Sequence, residues 1–377
     1  MEPILTGVAL LLTFGYAIFL LMVITGLIRL RGGENPEKPF VSIVSAARNE
    51  ESNIGALLEA LFRQDYPPEK LEIIIVNDRS EDSTGEIALS FSGRNIPFTI
   101  IDIEDVPLGY SPKKFALSQG IKKARGEIIC TTDADCIPPP EWVSGLVSYF
   151  IPDVGLVAGY SPLIVEGGTR FFSDYLYTDA LALAVSSAGG IGWQFGLTCA
   201  GRNLAYRRSV FEEVGGYEDV RDMISGDDDL LMHMIQKKTD FKVNYAAGAN
   251  ATVPSIIRHG VGQYINQRTR HASKYRAFPF RVQFCAFTIV LFYAMFFVYP
   301  IIKITNPHFL PAWGFMLGVK FFLEFAAMMY GAKKLEAKFS FGMFLKAFFL
   351  HPFLVVFFSI RGARGKFTWK DRDFQQK

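Results

Sequence analysis

The residues best suited to chemistry are aspartates that follow short apolar segments. Asp133 and Asp135 stand one residue apart, directly after the apolar segment EIICTT at 127–132. Two carboxylates at this spacing on a loop suit a hard divalent cation, which keeps some of its waters and can bridge a diphosphate. A cation held there would neutralise the charge that develops on a leaving diphosphate. The spacing indicates a candidate metal site, although an isolated Asp-x-Asp is more often a solvated loop.

A second acidic cluster, Asp227–Asp229, precedes a predicted helix. The apolar residues that predict this helix by their spacing are Leu230, Leu231, Met234 and Ile235. The aspartates would occupy its first turn, where the helix dipole favours negative charge, so capping is their ordinary role. Three aspartates are more than a cap requires, and one of them could serve as a general base.

A polar stripe rich in cations lies further along the chain. Its members recur at helical spacing and therefore share one face of a helix: Gln267, Arg270, His271 and Lys274. Such a face is typical of a helix that lies on a membrane surface, and the same side chains could bind phosphate. Spacing alone leaves both interpretations open.

Short β-rich segments precede the acidic groups. They are VSIVS at 41–45, LEIIIVN at 71–77, FTIID at 98–102 and EIICTT at 127–132. Between the first two, apolar residues from Ile54 to Phe62 recur at helical spacing. This alternation predicts an α/β domain with a mainly parallel sheet, helices on both faces and ligands at the carboxyl ends of the strands. The chain has no GxGxxG or GxxxxGK(S/T) motif, so neither a dinucleotide site nor a P-loop is predicted.

Composition sets the broad class of the chain. Of its 377 residues, 50% are hydrophobic and 20% are charged, which excludes a disordered chain or a coiled coil. The net charge of +2 argues against a nucleic-acid binder. The four cysteines lack CxxC spacing, so neither a zinc site nor a disulfide framework is predicted. With 35 Phe, part of the chain is expected to lie in lipid.

Long charge-poor segments predict where the chain enters the membrane. Three of them, 3–28, 284–302 and 309–330, are long enough to cross about 30 Å of hydrocarbon as helices. The third contains Lys320 and Glu324, which can pair one helical turn apart. The first has no small-residue cleavage site, so we expect an uncleaved anchor rather than a signal peptide.

Two further stretches are ambiguous. Residues 341–360 are apolar, but Lys346 and His351-Pro352 interrupt them. Residues 180–201 carry no charge. Their five glycines, two serines and one glutamine nevertheless make the stretch too weakly apolar for a membrane span. For 180–201 we predict a helix that leads into a Gly-rich loop of the soluble domain.

Basic residues at the ends of the apolar segments predict orientation. Arg29 and Arg31 follow the first span and Arg276 and Arg281 precede the second, which puts residues 29–283 on the cytoplasmic side. The tail after residue 360 is also basic and suits that side. We therefore expect 341–360 to be re-entrant or surface-lying rather than fully spanning.

Taken together, these segments resemble the inverting family 2 glycosyltransferases with a GT-A fold. The resemblance covers most of residues 38–275 and holds in order and approximate spacing. It is carried by VSIVSAARNEESNI, IIIVNDRSEDST, KKFALSQGIKKARGEIICTTDADCIPPP, CAGRNLAYRRSVFEEVGGYE, GDDDLLMHMI and QRTRH. The set is specific, although no single segment is.

The resemblance implies a donor site. Ala47, Glu50 and Asp78 would line the pocket for the nucleobase, and Lys113 would belong to the donor site. These roles come from the family pattern alone.

The same resemblance assigns the aspartates. Asp133 and Asp135 match the family's DxD motif, which grips the diphosphate of a sugar nucleotide through Mg2+ or Mn2+. Asp227 is similar to the family's catalytic base. The glutamate that usually precedes that base is Gly226 here, so Asp227 and Asp228 both stay candidates.

The polar stripe also resembles a family element. Gln267, Arg270 and His271 match the QxxRW motif of membrane-embedded members such as cellulose, chitin and hyaluronan synthases and ceramide glucosyltransferases, with His271 in place of tryptophan. In the family this position lies on the acceptor side, and the substitution puts acceptor stacking in doubt. Gln267 and Arg270 would bind the donor.

The whole sequence predicts a GT-A domain, a Rossmann-like α/β fold, carried on N-terminal and C-terminal transmembrane helices. The predicted parts are an anchor at 1–30, a cytoplasmic GT-A domain at 38–258, an interface helix at 259–283, transmembrane or re-entrant helices at 284–360 and a basic tail at 361–377.

The predicted activity is inverting transfer of a sugar from a nucleotide sugar, with UDP-sugars preferred, to a lipid or lipid-linked acceptor at the plasma or inner membrane. A processive polysaccharide synthase of the same family is an alternative, and product length separates the two. A transporter or scaffold with an inactive GT-A domain is an alternative from another class. It predicts that Asp133, Asp135 and Asp227 are dispensable.

Overall fold

The computed structural model describes residues 2–167, 169–257, 261–305, 310–364, 366–369 and 372–375. Its strands are β1 (Val41–Ala47), β2 (Leu71–Asp78), β3 (Phe98–Ile103), β4 (Ile128–Thr131), β5 (Val154–Gly159), β6 (Leu163–Val165), β7 (Leu204–Arg207), β8 (Lys242–Ala246), β9 (Ser255–Ile257), β10 (Lys366–Trp369) and β11 (Arg372–Gln375). Its α-helices are α1 (Glu2–Arg29), α2 (Ile54–Leu61), α3 (Thr84–Leu89), α4 (Pro112–Lys123), α5 (Trp142–Val147), α6 (Arg170–Gly192), α7 (Arg208–Glu213), α8 (Asp229–Lys238), α9 (Val261–Ser273), α10 (Phe280–Thr305), α11 (Leu310–Lys334) and α12 (Phe341–Ala363).

The central sheet has seven strands in the order β3-β2-β1-β4-β7-β5-β8. Parallel pairs join β1 to β2 and β4, β2 to β3, and β5 to β8. Within this sheet β7 runs antiparallel to both of its neighbours, β4 and β5. The predicted α/β fold with a mainly parallel sheet is therefore confirmed.

The first four predicted strands form close to their predicted bounds. β1 and β2 run slightly beyond 41–45 and 71–77, because their parallel register holds as far as Ala47 opposite Asn77. Nearly every residue of these two strands is buried. Burial on both faces is why they read as continuous apolar runs rather than as alternating patterns.

Helix α4 packs closely on the sheet and fixes the residues at its start. A Cβ built on Gly120 would lie 2.5 Å from Val44 Cγ1 and 3.0 Å from Val76 Cγ2, so no larger residue fits between the helix and strands β1 and β2. Because α4 leads into the parallel strand β4, its first turn lies at the carboxyl ends of the strands. That turn carries Lys113.

The chain divides into two compact units. One, which we call the sheet unit, contains Arg29–Glu166 and Ile191–Arg258; the other, the helical unit, contains Met1–Ile28, Gly167–Gly190 and His259–Lys377. This grouping differs from the predicted domain at 38–258, because most of α6 belongs with the helical unit. Its Asp174 pairs with Lys346 of α12 at 2.5 Å, and its Asp179 pairs with Arg268 of α9.

The region 180–201 contains the predicted helix and loop. α6 ends at Gly192, and residues 193–203 have no helix or strand. The helix is apolar because it packs in the helical unit. A Cβ on Gly189 would lie 2.5 Å from the carbonyl oxygen of Val23 in α1, and one on Gly331 of α11 would lie 2.3 Å from Val185.

Four helices of the described residues are long and apolar enough to cross a membrane: Ile4–Arg29, Phe280–Tyr299, Ala312–Lys334 and Phe341–Ala363. The predicted pair within the third is confirmed, since Lys320 Nζ lies 2.7 Å from Glu324 Oε2. α12 continues unbroken through Pro352. A re-entrant or surface-lying position for 341–360 stays a prediction.

The predicted interface helix at 259–283 forms as α9 followed by a short 3-10 turn at Lys274–Ala277 and the start of α10. Residues 259 and 260 lie outside the described residues. The same is true of parts of the predicted basic tail, in which β10 and β11 pair as an antiparallel hairpin.

Candidate active site

The loops after β1 and β2 are joined by hydrogen bonds at the carboxyl edge of the sheet. The Asn49 N–H donates to Ser80 Oγ at 3.1 Å, and Asn49 Oδ1 accepts from the Glu81 N–H at 2.9 Å. The Glu50 N–H donates to Thr84 Oγ1 at 2.7 Å. Asn49 has a positive φ of 51°, a conformation that asparagine tolerates better than most residues. The polar residues after the first two strands therefore meet, as expected from a parallel sheet.

The three residues implied for the nucleobase pocket stand at this edge. Ala47 is the last residue of β1 and Asp78 the last residue of β2, and both side chains are buried. Asp78 Oδ1 accepts a hydrogen bond from Arg79 Nε at 2.8 Å. Glu50 Oε2 accepts one from Asn53 at 2.8 Å.

Lys113 joins the two acidic clusters that the sequence places far apart. Its Nζ lies 2.8 Å from Asp133 Oδ1 and 2.9 Å from Asp227 Oδ2. The structure thus brings together one residue from the start of α4, one from the loop after β4 and one from the residues before α8. These are the implied donor-site lysine, the first aspartate of the DxD and the candidate base.

Burial and charge set the electrostatics of this cluster. Burial opposes the charged form of Lys113, but Asp133 and Asp227 outweigh it and raise the pKa of Lys113. Burial likewise opposes ionisation of Asp133, yet the Lys113 ammonium holds the pKa of Asp133 below its usual value. Among the described residues no cation pairs with Asp135, so burial, followed by the charge of Asp133, raises the pKa of Asp135. A divalent cation would relieve this unfavourable burial of negative charge.

The donor atoms fit such a cation. Asp133 and Asp135 offer carboxylate oxygens, which Mg2+ and Mn2+ prefer. In the described part of the chain, no group of three or more His, Cys, Asp or Glu side chains is arranged to hold a metal. A cation at Asp133 and Asp135 would therefore complete its coordination with water and ligand oxygens, as Mg2+ usually does beside phosphates.

The three adjacent aspartates have different surroundings. Asp228 caps α8: its Oδ1 accepts from the Asp229 N–H at 2.7 Å, and its Oδ2 accepts from the Gly201 N–H at 2.9 Å. Asp229 is fully buried and accepts from Thr198 Oγ1 at 2.8 Å and the Cys199 N–H at 2.6 Å. Both carboxylates thus hold the loop before β7, whereas Asp227 faces Lys113.

The backbone conformation at Gly226 explains why glycine stands where the family pattern has glutamate. Its φ is +90°, in the left-handed region that favours glycine. A Cβ at this position would also lie 2.8 Å from Leu230 Cγ. The turn that delivers Asp227 to Lys113 therefore requires glycine.

Sequence reasoning missed Arg202. It lies in the loop before β7, and it is the first charged residue after the charge-free stretch at 180–201, which was the available signal. Its guanidinium contributes to lowering the pKa values of both Asp133 and Asp135, after the larger effects of burial and of the nearer charges.

In the helical unit, Gln267, Arg270 and His271 lie on α9 and are partly buried. The sequence also missed Arg268, which the same helix directs to Asp179 of α6. Asp179 Oδ1 lies 3.5 Å from His351 Nδ1 of α12. The ion pair between Arg268 and Asp179 therefore anchors α9 inside the helical unit.

Comparison with known proteins gives a family match for part of the chain. Residues 42–215 match the family model described as Glycosyl transferase family 2. The chain is 33% identical over 186 residues to the probable glycosyltransferase YdaM of Bacillus subtilis, a match covering 48% of this chain and 44% of that protein. The chain thus matches less than half the length of this relative.

Two further relatives have names that state a product. The poly-β-1,6-N-acetyl-D-glucosamine synthase of Staphylococcus epidermidis is 27% identical, over 63% of this chain and 55% of its own length. The β-monoglucosyldiacylglycerol synthase of Trichormus variabilis is 26% identical, over 62% of this chain and 48% of its own length. One name describes a polymer and the other a glycolipid.

A solved structure extends the likeness in fold over the chain. The mannosyltransferase PcManGT of Pyrobaculum calidifontis, solved with GDP-mannose and Mn2+, aligns with a TM-score of 0.56 over 95% of this chain and 97% of its own, at 18% identity. At that identity the likeness concerns the fold alone. Residues 42–215 thus match the Glycosyl transferase family 2 model, and the chain has the GT-A fold.

Proposed function

We propose that the protein is a membrane glycosyltransferase that moves a sugar from a nucleotide sugar to a lipid or lipid-linked acceptor, with inversion at the anomeric carbon. The observation that carries the proposal is the contact of Lys113 with both Asp133 and Asp227. It places a candidate metal ligand and a candidate base around one cation at the carboxyl edge of the sheet. Donor and acceptor chemistry need both groups within one site.

The donor would occupy the edge formed by β1, β2 and β4. Ala47, Glu50 and Asp78 would surround the nucleobase, and Lys113 would contact the diphosphate. The nucleotide sugar in PcManGT supports this donor class. A UDP-sugar is our preferred donor by family resemblance.

Asp133 and Asp135 would hold Mn2+ or Mg2+, which would supply positive charge to the leaving diphosphate. The protein's own contribution is to keep these two carboxylates partly buried and oriented. The Asp133–Lys113 contact provides that orientation for the first of them.

Asp227 would act as the general base. Its carboxylate takes the proton of an acceptor hydroxyl, and the oxygen forms a bond to the anomeric carbon. The bond from that carbon to the diphosphate oxygen breaks, and its electron pair leaves with the nucleoside diphosphate. Attack from the face opposite the leaving group inverts the configuration.

Two properties of the chain favour a lipid acceptor and a single transfer. The four apolar helices among the described residues are few for a channel that secretes a polymer, and His271 lacks the indole surface of the family's tryptophan. Arg270 and Gln267 would bind the donor from α9. A processive synthase remains the alternative, because one relative is named as the synthase of a polymer.

We also propose that the chain is a multi-pass protein of the plasma or inner membrane, with the sheet unit on the cytoplasmic side. The basic residues at 29, 31, 276 and 281 support this orientation. Nucleotide sugars would then be available to the site.

A thermal-shift panel tests the donor assignment. Nucleotide sugars should raise the melting temperature in the presence of Mn2+ and much less in EDTA, because a ligand that binds only the native state stabilises it. Asp135→Asn should abolish the part of this rise in melting temperature that depends on Mn2+. If no nucleotide sugar stabilises the wild type, the inactive transporter or scaffold becomes the better account.

A further inference from the structure

Arg202 has a fixed backbone beside the catalytic aspartates. On one side of it, the Gly201 N–H donates to Asp228 Oδ2 at 2.9 Å, and the Gly201 carbonyl accepts from Thr131 Oγ1 at 3.2 Å. On the other side, Asn203 Nδ2 donates to the carbonyl of Tyr160 at 2.8 Å. Hydrogen bonds thus hold the residues on both sides of Arg202, so the backbone position of Arg202 is fixed.

The backbone before Arg202 lies at the edge of the cluster formed by Asp227 and Asp228. A Cβ built on Gly201 would lie 3.0 Å from Asp227 Oδ2 and 3.3 Å from Asp228 Cβ. The backbone that leads into Arg202 therefore lies close to the proposed base. A cation on the next residue adds positive charge to a region otherwise rich in carboxylates.

The charge of Arg202 acts on the DxD. Burial is the largest influence on the pKa values of Asp133 and Asp135 and raises both, while Arg202 is among the groups that lower them. Within the described residues, Arg202 has no ion pair, and its buried Nε has no hydrogen-bond partner. Lys113 differs, because two aspartates already engage its ammonium.

A guanidinium with free donors beside a metal site suits a phosphate. Its planar fork of N–H groups matches two phosphate oxygens at once, and such charge-assisted hydrogen bonds are stronger than neutral ones. A neutral sugar or an apolar lipid tail would leave this charge uncompensated.

We propose that Arg202 binds a phosphate group of a substrate at the DxD edge. The inference rests on the proposed function, which supplies a nucleoside diphosphate; a phosphorylated lipid acceptor offers the same chemistry. Gly201, the neighbour of Arg202, accepts a hydrogen bond from Thr131 at the end of β4, just before the DxD, and this position favours the donor diphosphate.

The test compares ligands that differ only in phosphate. Binding of UDP, GDP and the matching nucleosides is measured by calorimetry with Mn2+, using the full-length protein in detergent. A second arm compares a polyprenyl phosphate with the corresponding polyprenol. Arg202→Gln and Arg202→Lys are tested beside Arg208→Gln, a control that removes an exposed arginine paired with Glu212 at 3.5 Å.

We expect Arg202→Gln to weaken binding of the preferred nucleoside diphosphate about tenfold or more and to leave binding of the matching nucleoside unchanged. Arg202→Lys should lie in between, because it keeps the charge and loses the fork. If the loss appears with the polyprenyl phosphate instead, the inference holds and the lipid is the source of the phosphate.

The inference fails if both phosphate ligands bind Arg202→Gln within twofold of the wild type. It also fails if binding of the nucleoside and the polyprenol weakens as much as binding of their phosphates, which would indicate a purely structural role for Arg202. A wild type that binds no nucleoside diphosphate would instead contradict the proposed function itself.

Discussion

Asp227, Asp228 and Asp229 are neighbours in sequence, but their carboxylates have different partners. Asp228 and Asp229 accept hydrogen bonds from backbone N–H groups of the loop before β7 and at the start of α8. Asp227 meets Lys113. A carboxylate already committed to backbone groups is poorly suited to take a proton from an acceptor, which favours Asp227 as the base.

Asp227→Asn is therefore expected to keep donor affinity and to lose turnover by about 100-fold or more, because a general base acts on the acceptor and not on nucleotide binding. Asp228→Asn should stay active, since asparagine also caps helices well. Steady-state rates and nucleotide affinities of both variants check this. An inactive Asp228→Asn beside an active Asp227→Asn would move the base by one residue.

Gly226 supports a second prediction. Gly226→Ala places a Cβ against Leu230 in a left-handed backbone, and we expect it to lower the free energy of unfolding by about 1 to 3 kcal/mol. Gly93→Ala is the matched control, since Gly93 has a similar φ of +82° but no atom within 4 Å of its Cβ. Thermal unfolding compares the two variants. Equal losses would show that contact with Leu230 costs nothing.

At the level of single residues, the sequence predicted the metal and base candidates because the first follow a strand signal and the second precede a helix signal. The DxD follows β4, and parallel strands carry such loops to one edge. The bridge from Lys113 to Asp227 could not be predicted from spacing, since it depends on how α4 packs. Arg202 was missed because a single arginine that follows an apolar stretch gives no periodic signal.

Elements of the helical unit hold buried charges as well as apolar faces. Lys320 is fully buried, and its Nζ contacts both Glu324 and the carbonyl of Phe348. Glu324 also accepts hydrogen bonds from Tyr16 of α1 and Tyr293 of α10. One carboxylate thus joins α1, α10 and α11, and charged groups in such surroundings need their partners.

Lys320→Met should lower stability by about 3 kcal/mol, because it leaves Glu324 buried without its cation. The double variant Lys320→Met with Glu324→Leu should recover part of the loss. The midpoint of thermal aggregation in detergent measures both. Lys333→Met, on the exposed side of the same helix, is the control. A single Lys320→Met variant as stable as wild type would show that the pair is incidental.

The elements themselves were largely predictable, but the membership of α6 was not. Its apolar composition correctly suggested a helix. The side chains that tie it to the helical unit, Asp174 and Asp179, pair with residues much later in the chain. Sequence periodicity reports which face of a helix is buried and not which partner covers it.

For the whole molecule, orientation in the membrane is the open prediction. α12 is long enough to cross, yet Lys346 and His351 interrupt it and a basic tail follows, so our prediction stays a re-entrant or surface-lying helix. A cysteine in place of Gln375, in a Cys285→Ser background, should then be shielded from an impermeant thiol reagent in intact cells. It should react after permeabilisation.

Glu2→Cys provides the control for this labelling. If α1 crosses with residues 29–283 inside, position 2 should react from outside without permeabilisation. Outside labelling at position 375 would establish that α12 crosses the membrane completely.

The most direct test of the account is sugar transfer by the purified full-length protein in lipid vesicles. Nucleotide sugars are supplied in excess with Mn2+, and the lipids and released nucleotides are analysed by mass spectrometry. The account predicts a lipid that gains one sugar or very few, with matching release of nucleoside diphosphate, and loss of both in EDTA or in Asp135→Asn. A ladder of long polymers would contradict the single-transfer proposal, and full transfer in EDTA would contradict the role of Asp133 and Asp135.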